Sequence, residues 1–209
     1  MSDAGTLAST PAAPSRKRPK PGERRVQILQ ALAAMLEQPG AERITTAALA
    51  ARLEVSEAAL YRHFASKAQM FEGLIEFIEQ SVFSLINQIV ARGEVEEADA
   101  GVRQASRLVA MLLQFAEKNP GMTRVMVGDA LVFENERLQQ RMNLFFDKIE
   151  ATLRQCLRPG GGATPTVDAQ VQASVLTAFV VGRLQRFARS GFKRMPSEHL
   201  DASLALLLG

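Results

Sequence analysis

The sequence has little of what most catalytic sites need. It holds one cysteine, two histidines, one tyrosine and no tryptophan in 209 residues. The single cysteine, Cys156, excludes an internal disulfide, and its place on an apolar helix face predicts an inert core position. His63 and His199 are far apart in sequence, and neither is followed four residues later by a second metal-ligating residue.

Other catalytic patterns are absent as well. No glycine-rich phosphate loop follows a strand pattern, and the carboxylates of Asp129, Glu134 and Glu136 are typical of helix surfaces. We therefore predict that the protein is not an enzyme and uses no metal or other cofactor. The chain also lacks an apolar N-terminal signal and a long apolar run free of charge. These two absences predict a cytoplasmic protein without membrane insertion.

Alternating strand patterns are missing too, whereas apolar residues recur at three- and four-residue steps. This periodicity predicts an all-α fold, and 47% hydrophobic residues are enough to bury a core. Pro120 and Gly121 are expected to end the fifth helix, and residues 159–166 read as a flexible linker. The predicted helices span residues 23–37, 47–53, 57–64, 67–92, 101–118, 123–133, 136–157, 167–190 and 197–208.

Two of these helices have informative faces. In helix 67–92 one apolar stripe is expected to be buried, and Met70 and Phe77 lie well to one side of it. In helix 136–157 a seven-residue pattern fits a short coiled coil and ordinary core packing equally well. The residues of that pattern are Leu138, Met142, Phe145, Ile149 and Cys156.

Positive charge is concentrated near the N-terminus. The whole chain has a formal net charge of +3, but residues 1–25 contain six basic and two acidic residues, a local charge of +4. Several prolines exclude a stable helix there, so residues 1–22 are predicted to be a disordered basic arm when no DNA is bound. The charge alone fits an arm that follows DNA phosphates and a solvated tail equally well.

Next to this arm, residues 45–67 contain two short helical patterns with a tight connection between them. Thr45 and Thr46 can cap the first helix, and Ser56 can cap the second. Ser66 can cap a third helix, with Gln69 three residues later completing a capping box. This arrangement predicts a helix-turn-helix unit, whose second helix is shaped to enter the DNA major groove.

At these residues the chain resembles the DNA-binding domain of TetR-type bacterial regulators. The resemblance covers most of the chain, from about residue 24 to 158 and again from 182 to 196. It differs from the family in the turn, where Glu54 stands in place of the usual glycine. A side chain in a left-handed turn costs roughly 1 kcal/mol, which the motif can tolerate. The runs that carry the resemblance are ITTA at 44–47, VSEAALYRHF at 55–64, LIEFIE at 74–79, and NPG with TR at 119–124.

The resemblance and the residue types together predict the DNA contacts. Short side chains let a helix approach base edges, while hydroxyl, aromatic and basic side chains can bind phosphates. Partial burial for Tyr61 and a solvent-facing position without a role for His63 are the alternatives. Phosphate contacts are expected from Thr45, Tyr61, Arg62, His63 and Lys67, and base-edge contacts from Thr46, Ser56, Glu57 and Ala58.

Within the TetR family, the resemblance is greatest to the branch that acts in nucleoid occlusion. It implies a DNA-binding domain at residues 23–82 and a C-terminal helical domain at 83–209 that forms a homodimer and binds a partner. It further implies that the DNA-bound homodimer inhibits assembly of the division protein FtsZ over the nucleoid. Phe77, Lys118 and Asn119 match the family's FtsZ-binding region, and burial of Phe77 is the alternative.

Two other functions compete with this one. The first is a ligand-responsive TetR-type repressor, in which Arg124, Gln140 and Arg183 are possible pocket liners without a visible pattern. No small-molecule ligand is expected under the nucleoid occlusion hypothesis. The second is a helical scaffold for protein interaction or enzymatic activity that does not bind DNA. Binding to duplex DNA with a steep salt dependence excludes a pure interaction protein.

Overall fold

The computed structural model describes residues 22–38, 44–91, 99–158 and 165–209. Across these ranges the fold is all-α, as predicted, with nine α-helices, one short 3-10 helix and no strand. The basic arm, except Gly22, and most of the predicted linker lie outside the described residues. The helices are α1 Glu23–Leu36, α2 Thr46–Arg52, α3 Glu57–Tyr61, α4 Lys67–Ala91, α5 Ala100–Lys118, α6 Pro120–Met126, the 3-10 helix Asp129–Leu131, α7 Glu136–Leu157, α8 Pro165–Arg189 and α9 Leu200–Leu208.

Helices α1, α2 and α3 pack around the first turns of α4 and form a small N-terminal unit, the head. Leu49, Leu60 and Phe64 are fully buried there, and Leu53 and Val55 pack against this core from partly buried positions. The sequence pattern placed Met70 outside the α4 stripe, yet it is also fully buried. The pattern was misleading because the head surrounds the start of α4, so that part of the helix has more than one buried side.

Helix α3, the second helix of the helix-turn-helix, is shorter than predicted, because it ends at Tyr61 rather than at Phe64. The N–H groups of His63 and Phe64 both donate to the carbonyl of Leu60, at 2.9 and 3.1 Å. The tightened backbone directs the Phe64 side chain into the core, and Ser66 starts the next helix two residues later. Tertiary packing of Phe64 therefore decides where α3 stops.

The helix predicted at 123–133 was also wrong. Pro120 opens α6 instead of only ending α5, because the first helical position needs no N–H donor. Helix α6 stops at Met126, and Gly128 takes a left-handed conformation with φ +83°. A separate 3-10 turn follows at residues 129–131. The last helix starts at Leu200, three residues later than predicted.

Helices α5 to α9 form the C-terminal unit, the body, in which α5 is surrounded by α4, α7 and α8. All five residues of the seven-residue pattern in α7 are buried within the protomer, as ordinary core packing predicts. In the described residues, α4 is the one helix long and apolar enough to cross a membrane by length and composition. Eight of its residues are buried in the protein core.

The head and the body meet at a junction with a very close backbone contact. Gly121 in α6 lies against the carbonyl of Ala33 in α1, and an added Cβ would stand 1.9 Å from that oxygen. A side-chain link also joins the two units. Arg141 in α7 makes hydrogen bonds of 3.2 and 2.6 Å to the Glu79 carboxylate in α4, and these bonds raise the pKa of the guanidinium. The unbroken α4 helix joins both units.

The turn of the helix-turn-helix contains a left-handed residue, although the usual glycine is absent from it. Glu54 has φ +55°, so a non-glycine residue occupies the left-handed position. The N–H of Val55 donates to Ala50 at 3.0 Å, and the N–H of Glu54 donates to Ala51 at 3.1 Å. These two bonds form a Schellman motif, which satisfies the last carbonyls of α2. The turn therefore keeps its hydrogen bonds despite the backbone cost of Glu54.

We expect Gly121→Ala to destabilise the protein by about 2–3 kcal/mol, because α1 and α6 must separate to admit the methyl group. Urea unfolding with an unchanged m value measures this loss. The sign of the change is its own control, because Gly→Ala inside a helix otherwise stabilises a protein by roughly 0.5–1 kcal/mol. Equal stability of Gly121→Ala and the wild type would refute the close-contact argument.

A comparison of Glu54→Gly with Glu54→Ala isolates the backbone cost of the turn. Both variants lose the same side-chain interactions, but only alanine keeps the strain of a positive φ. We expect the glycine variant to be more stable by about 1 kcal/mol, a difference of roughly 2–4 °C in Tm for a chain of this size. Thermal unfolding followed by circular dichroism measures it, and an alanine variant of equal or higher Tm contradicts it.

Candidate nucleic-acid interface

The N-terminal ends of α2 and α3 are capped by residues that the sequence predicts as caps. The Thr45 hydroxyl accepts a hydrogen bond of 3.1 Å from the N–H of Ala48, and the Ser56 hydroxyl accepts one of 3.2 Å from the N–H of Ala59. Thr45 and Ser56 are both exposed. A hydroxyl that accepts from the backbone still has its own proton to donate, so each can bind an external acceptor.

Three predicted site residues form one hydrogen-bonded group across the two helices. Thr46 donates to the Glu57 carboxylate at 2.6 Å, and the Tyr61 hydroxyl donates to the Thr46 oxygen at 3.4 Å. Tyr61 is 44% exposed, so its hydroxyl lies at the surface. Ala58 is exposed beside Glu57 at the start of α3. The group orients the exposed face of α3 relative to α2.

Arg62 and His63 follow α3, and both are exposed. Arg25, in the first turn of α1, donates to the carbonyl of His63 at 2.9 Å and lies 4.1 Å from the centre of the Phe64 ring. Arg25 thereby places a fixed cation beside the predicted phosphate ligands. From the sequence, Arg25 was counted only in the positive charge of residues 1–25. A cation in the first turn of a helix interacts unfavourably with the helix dipole. The position of Arg25 therefore indicates a role other than stabilising α1.

Lys67 is the first residue of α4, as the sequence indicates, but its ammonium is already engaged. Its Nζ lies 2.5 Å from the Glu134 carboxylate, which belongs to the body. The capping box at this helix start is confirmed with one difference. Ser66 accepts from the N–H of Gln69, whereas the Gln69 side chain accepts from Ala65 at 2.9 Å instead of from the cap residue itself. Lys67, a predicted phosphate ligand, is thus paired with a residue of the body.

The residues predicted to bind a partner lie on α4 and at the end of α5, two helices that pack together. Phe77 is half-buried and packs against the core, which falls between the two alternatives for it. Lys118 is the exposed last residue of α5. The Asn119 side chain donates to the Phe115 carbonyl at 2.8 Å and so caps the helix end. These residues leave one cation and part of an aromatic ring for a partner.

Within the described ranges, no group of three or more histidine, cysteine, aspartate or glutamate side chains could hold a metal ion. Cys156 is buried, as predicted, and burial raises the pKa of its thiol. A raised pKa keeps the thiol protonated at neutral pH, so it is a poor nucleophile.

A cleft of about 500 Å³ lies between the end of α6, the start of α7 and α8. Both apolar and polar side chains line it, among them Met126, Asp129, Phe146 and Gln185. The three residues predicted as possible pocket liners do not line it. Arg124 donates to the Gln38 carbonyl, Gln140 to Glu136, and Arg183 to Ser203.

One face of α8 and part of α9 expose apolar side chains without a covering element. In α8 the exposed apolar positions recur at helical spacing and form one stripe, while in α9 Leu206 is 87% exposed. Contiguous apolar patches of this kind mark interaction surfaces in soluble proteins. The α8 stripe consists of Val167, Val171, Val175 and Ala178.

Comparison with known proteins gives a consistent result over both units. Residues 28–74 match the family of bacterial regulatory proteins called tetR, and residues 99–209 match the SlmA-like, tetracyclin repressor-like C-terminal domain. The nucleoid occlusion factor SlmA of Aliivibrio fischeri strain MJ11 is 50% identical over 194 residues, which cover 90% of this chain and 96% of the relative. The SlmA of Vibrio cholerae is 53% identical over 188 residues, 88% and 93% of the two chains.

Solved structures show the same fold at low identity. A TetR-family regulator from Bordetella parapertussis has a TM-score of 0.67 at 19% identity, and covers 90% of this chain and 95% of its own. The regulator FadR from Bacillus subtilis, solved in complex with stearoyl-CoA, has a TM-score of 0.69 at 13% identity and covers 88% and 97%. The resemblance found in the sequence is thus confirmed. The chain belongs to the TetR family of bacterial regulatory proteins and, within it, to the group of the SlmA nucleoid occlusion factors.

Proposed function

We propose that this protein is a nucleoid occlusion factor that binds specific chromosomal sites as a homodimer. In its DNA-bound form it inhibits FtsZ ring assembly over the chromosome and so regulates where the cell divides. The observation that carries this function is the exposed helix-turn-helix face on a chain half identical to SlmA proteins over about nine-tenths of its length. The function is binding and not catalysis, and it assigns the protein to the cytoplasm, on the nucleoid.

The geometry of the head supports the proposed DNA contacts. Helix α3 is short, its first turn exposes Glu57 and Ala58, and small side chains there let the helix approach base edges. A glutamate carboxylate can accept a hydrogen bond from a cytosine amino group. The Glu57 carboxylate already accepts one from the Thr46 hydroxyl, so a base contact has to share that carboxylate or replace the bond. Around α3, the hydroxyls of Thr45 and Tyr61 and the cations of Arg62 and Lys67 supply phosphate contacts that set the register.

The homodimer follows from the uncovered face of the body. The apolar stripe on α8 and the exposed Leu206 need a partner of the same chemistry, which a second copy supplies through a two-fold interface. Gly182 lies farther along α8, and no atom stands within 4 Å of the Cβ it would carry. That open space admits a closely packed helix from the partner. Two heads then face the DNA with a fixed separation between half-sites.

The FtsZ contact rests on the branch of the family and on the groups available at the α4–α5 edge. Phe77 gives a half-buried ring, and Lys118 gives a solvated cation at the end of α5. An aromatic anchor together with a cation suits a peptide that combines an apolar residue with a carboxylate. Asn119 holds the helix end with its side chain, so its part in binding is to position the neighbouring lysine.

A ligand-responsive repressor is the second candidate, and the cleft beside α6 and α8 is the observation in its favour. A cleft of about 500 Å³ lies within the size range of small-molecule sites. Its lining is mixed, with two carboxylates and several amides, and it lacks the mostly apolar wall of a typical ligand pocket. The relatives compared at about 50% identity are named as nucleoid occlusion factors, so we favour that function.

The phosphate contacts can be tested with Tyr61→Ala combined with Lys67→Ala. We expect weaker binding to every duplex, whatever its sequence, and a salt slope reduced by about one, because one cation no longer releases a counterion. Fluorescence anisotropy at several salt concentrations measures both quantities. Arg107→Ala is the matched control, since it removes an exposed cation on α5 away from the head. Unchanged affinity and slope in the double variant would contradict the phosphate role.

The partner contact can be tested with Phe77→Ala. We expect this variant to keep DNA affinity and the dimeric state but to lose inhibition of FtsZ polymer assembly in a sedimentation assay with DNA present. Phe83→Ala controls for packing loss, because it truncates another half-buried phenylalanine of α4, whose ring centre lies 5.6 Å from that of Phe145. If Phe77→Ala still blocks assembly as well as the control does, the ring is not part of the FtsZ site.

A further inference from the structure

The pair between Lys67 and Glu134 joins the DNA-facing side of the head to the body. The two side chains are 30% and 10% exposed, and Nζ and Oε1 lie 2.5 Å apart. Glu134 sits in the segment between the 3-10 helix and α7, and its N–H donates to the Leu131 carbonyl at 3.0 Å. The pair therefore connects residues that are 67 positions apart in sequence.

The Glu134 carboxylate pairs with a lysine that stands at a helix start. Lys67 opens α4, a helix of 25 residues, and the N-terminal end of a helix carries partial positive charge. A lysine at that end is unfavourable unless a negative group accompanies it. The Glu134 carboxylate supplies that negative group in the free protein, and a DNA phosphate supplies the same charge when the head is on a duplex. The carboxylate and the phosphate thus satisfy the same site.

We infer that Glu134 competes with the DNA backbone for Lys67, so that DNA binding releases Glu134 and the segment that carries it. This inference rests on the proposed DNA-binding function. A lysine ammonium has three donors and can in principle bridge two anions, but two anions at one ammonium repel each other. Each therefore weakens the binding of the other, and by thermodynamic reciprocity DNA loosens the pair as much as the pair disfavours DNA.

The release changes the surface of the body. A carboxylate that is mostly buried does not remain in place without its partner, because an unpaired buried charge is costly. The segment from Val132 to Glu134 then has to move, and Val132 and Phe133 are its exposed apolar side chains. The nearby Arg141–Glu79 link does not involve a DNA-facing group and is expected to stay closed. Glu134 therefore affects DNA binding through Lys67, and its own position depends on whether DNA is bound.

The test is a double-mutant cycle on DNA affinity. Glu134→Gln keeps the size of the side chain and removes its charge, and we expect it to bind duplex DNA about fivefold to tenfold more tightly at low salt. In a Lys67→Gln background the same change should alter affinity by less than about twofold. Glu136→Gln, which neutralises an exposed carboxylate two residues away, should leave affinity unchanged. Equal or weaker binding by Glu134→Gln, or a gain that persists without Lys67, overturns the inference.

Hydrogen exchange on the wild-type protein supplies a second measurement that needs no variant. We expect the amides of residues 131–134 to exchange faster when DNA is added, while amides near Glu79 stay unchanged. Unchanged or slower exchange at 131–134 on DNA overturns the release. If the wild-type protein fails to bind any duplex, the proposed function itself is refuted. If it binds DNA but the double-mutant cycle shows no coupling between Lys67 and Glu134, only the role of Glu134 is refuted.

Discussion

The contact between Gly121 and the Ala33 carbonyl is the constraint on which the other features of this protein depend. It lets α1 of the head lie directly against α6 of the body, at a distance that any side chain would prevent. The continuous α4 helix and the Arg141–Glu79 bonds then act on two units that already share a backbone contact. Because the head has few residues and a small core, it gains its orientation from this junction.

Orientation matters because DNA is read in steps of one base pair. If the head tilts by about 10° at the junction, over an arm of about 20 Å along α4, then α3 moves by about 3.5 Å. That displacement is about the spacing of one base pair along a strand. In a homodimer the tilt also changes the separation of the two recognition helices, which must match the spacing of the half-sites. A rigid junction is therefore as important for specificity as the side chains on α3.

Features set by local chemistry were predictable from the sequence. Thr45, Ser56 and Ser66 were identified as caps because a hydroxyl before a helix acts on backbone groups two or three residues away. Both ends of α7 were predicted at the observed residues, and Asn135 caps its start. The turn at Glu54 was less predictable, because the family's usual glycine is absent there, and the structure shows its positive φ.

Features set by distant contacts were not predictable. The end of α3 depends on how Phe64 packs in the head, and the burial of Met70 depends on which helices surround α4. No local pattern links Lys67 to Glu134 or Gly121 to Ala33, since each pair joins segments far apart in sequence. The residue type and position of Lys67 indicated a phosphate ligand, whereas in the structure its ammonium already pairs with an anion of the protein itself.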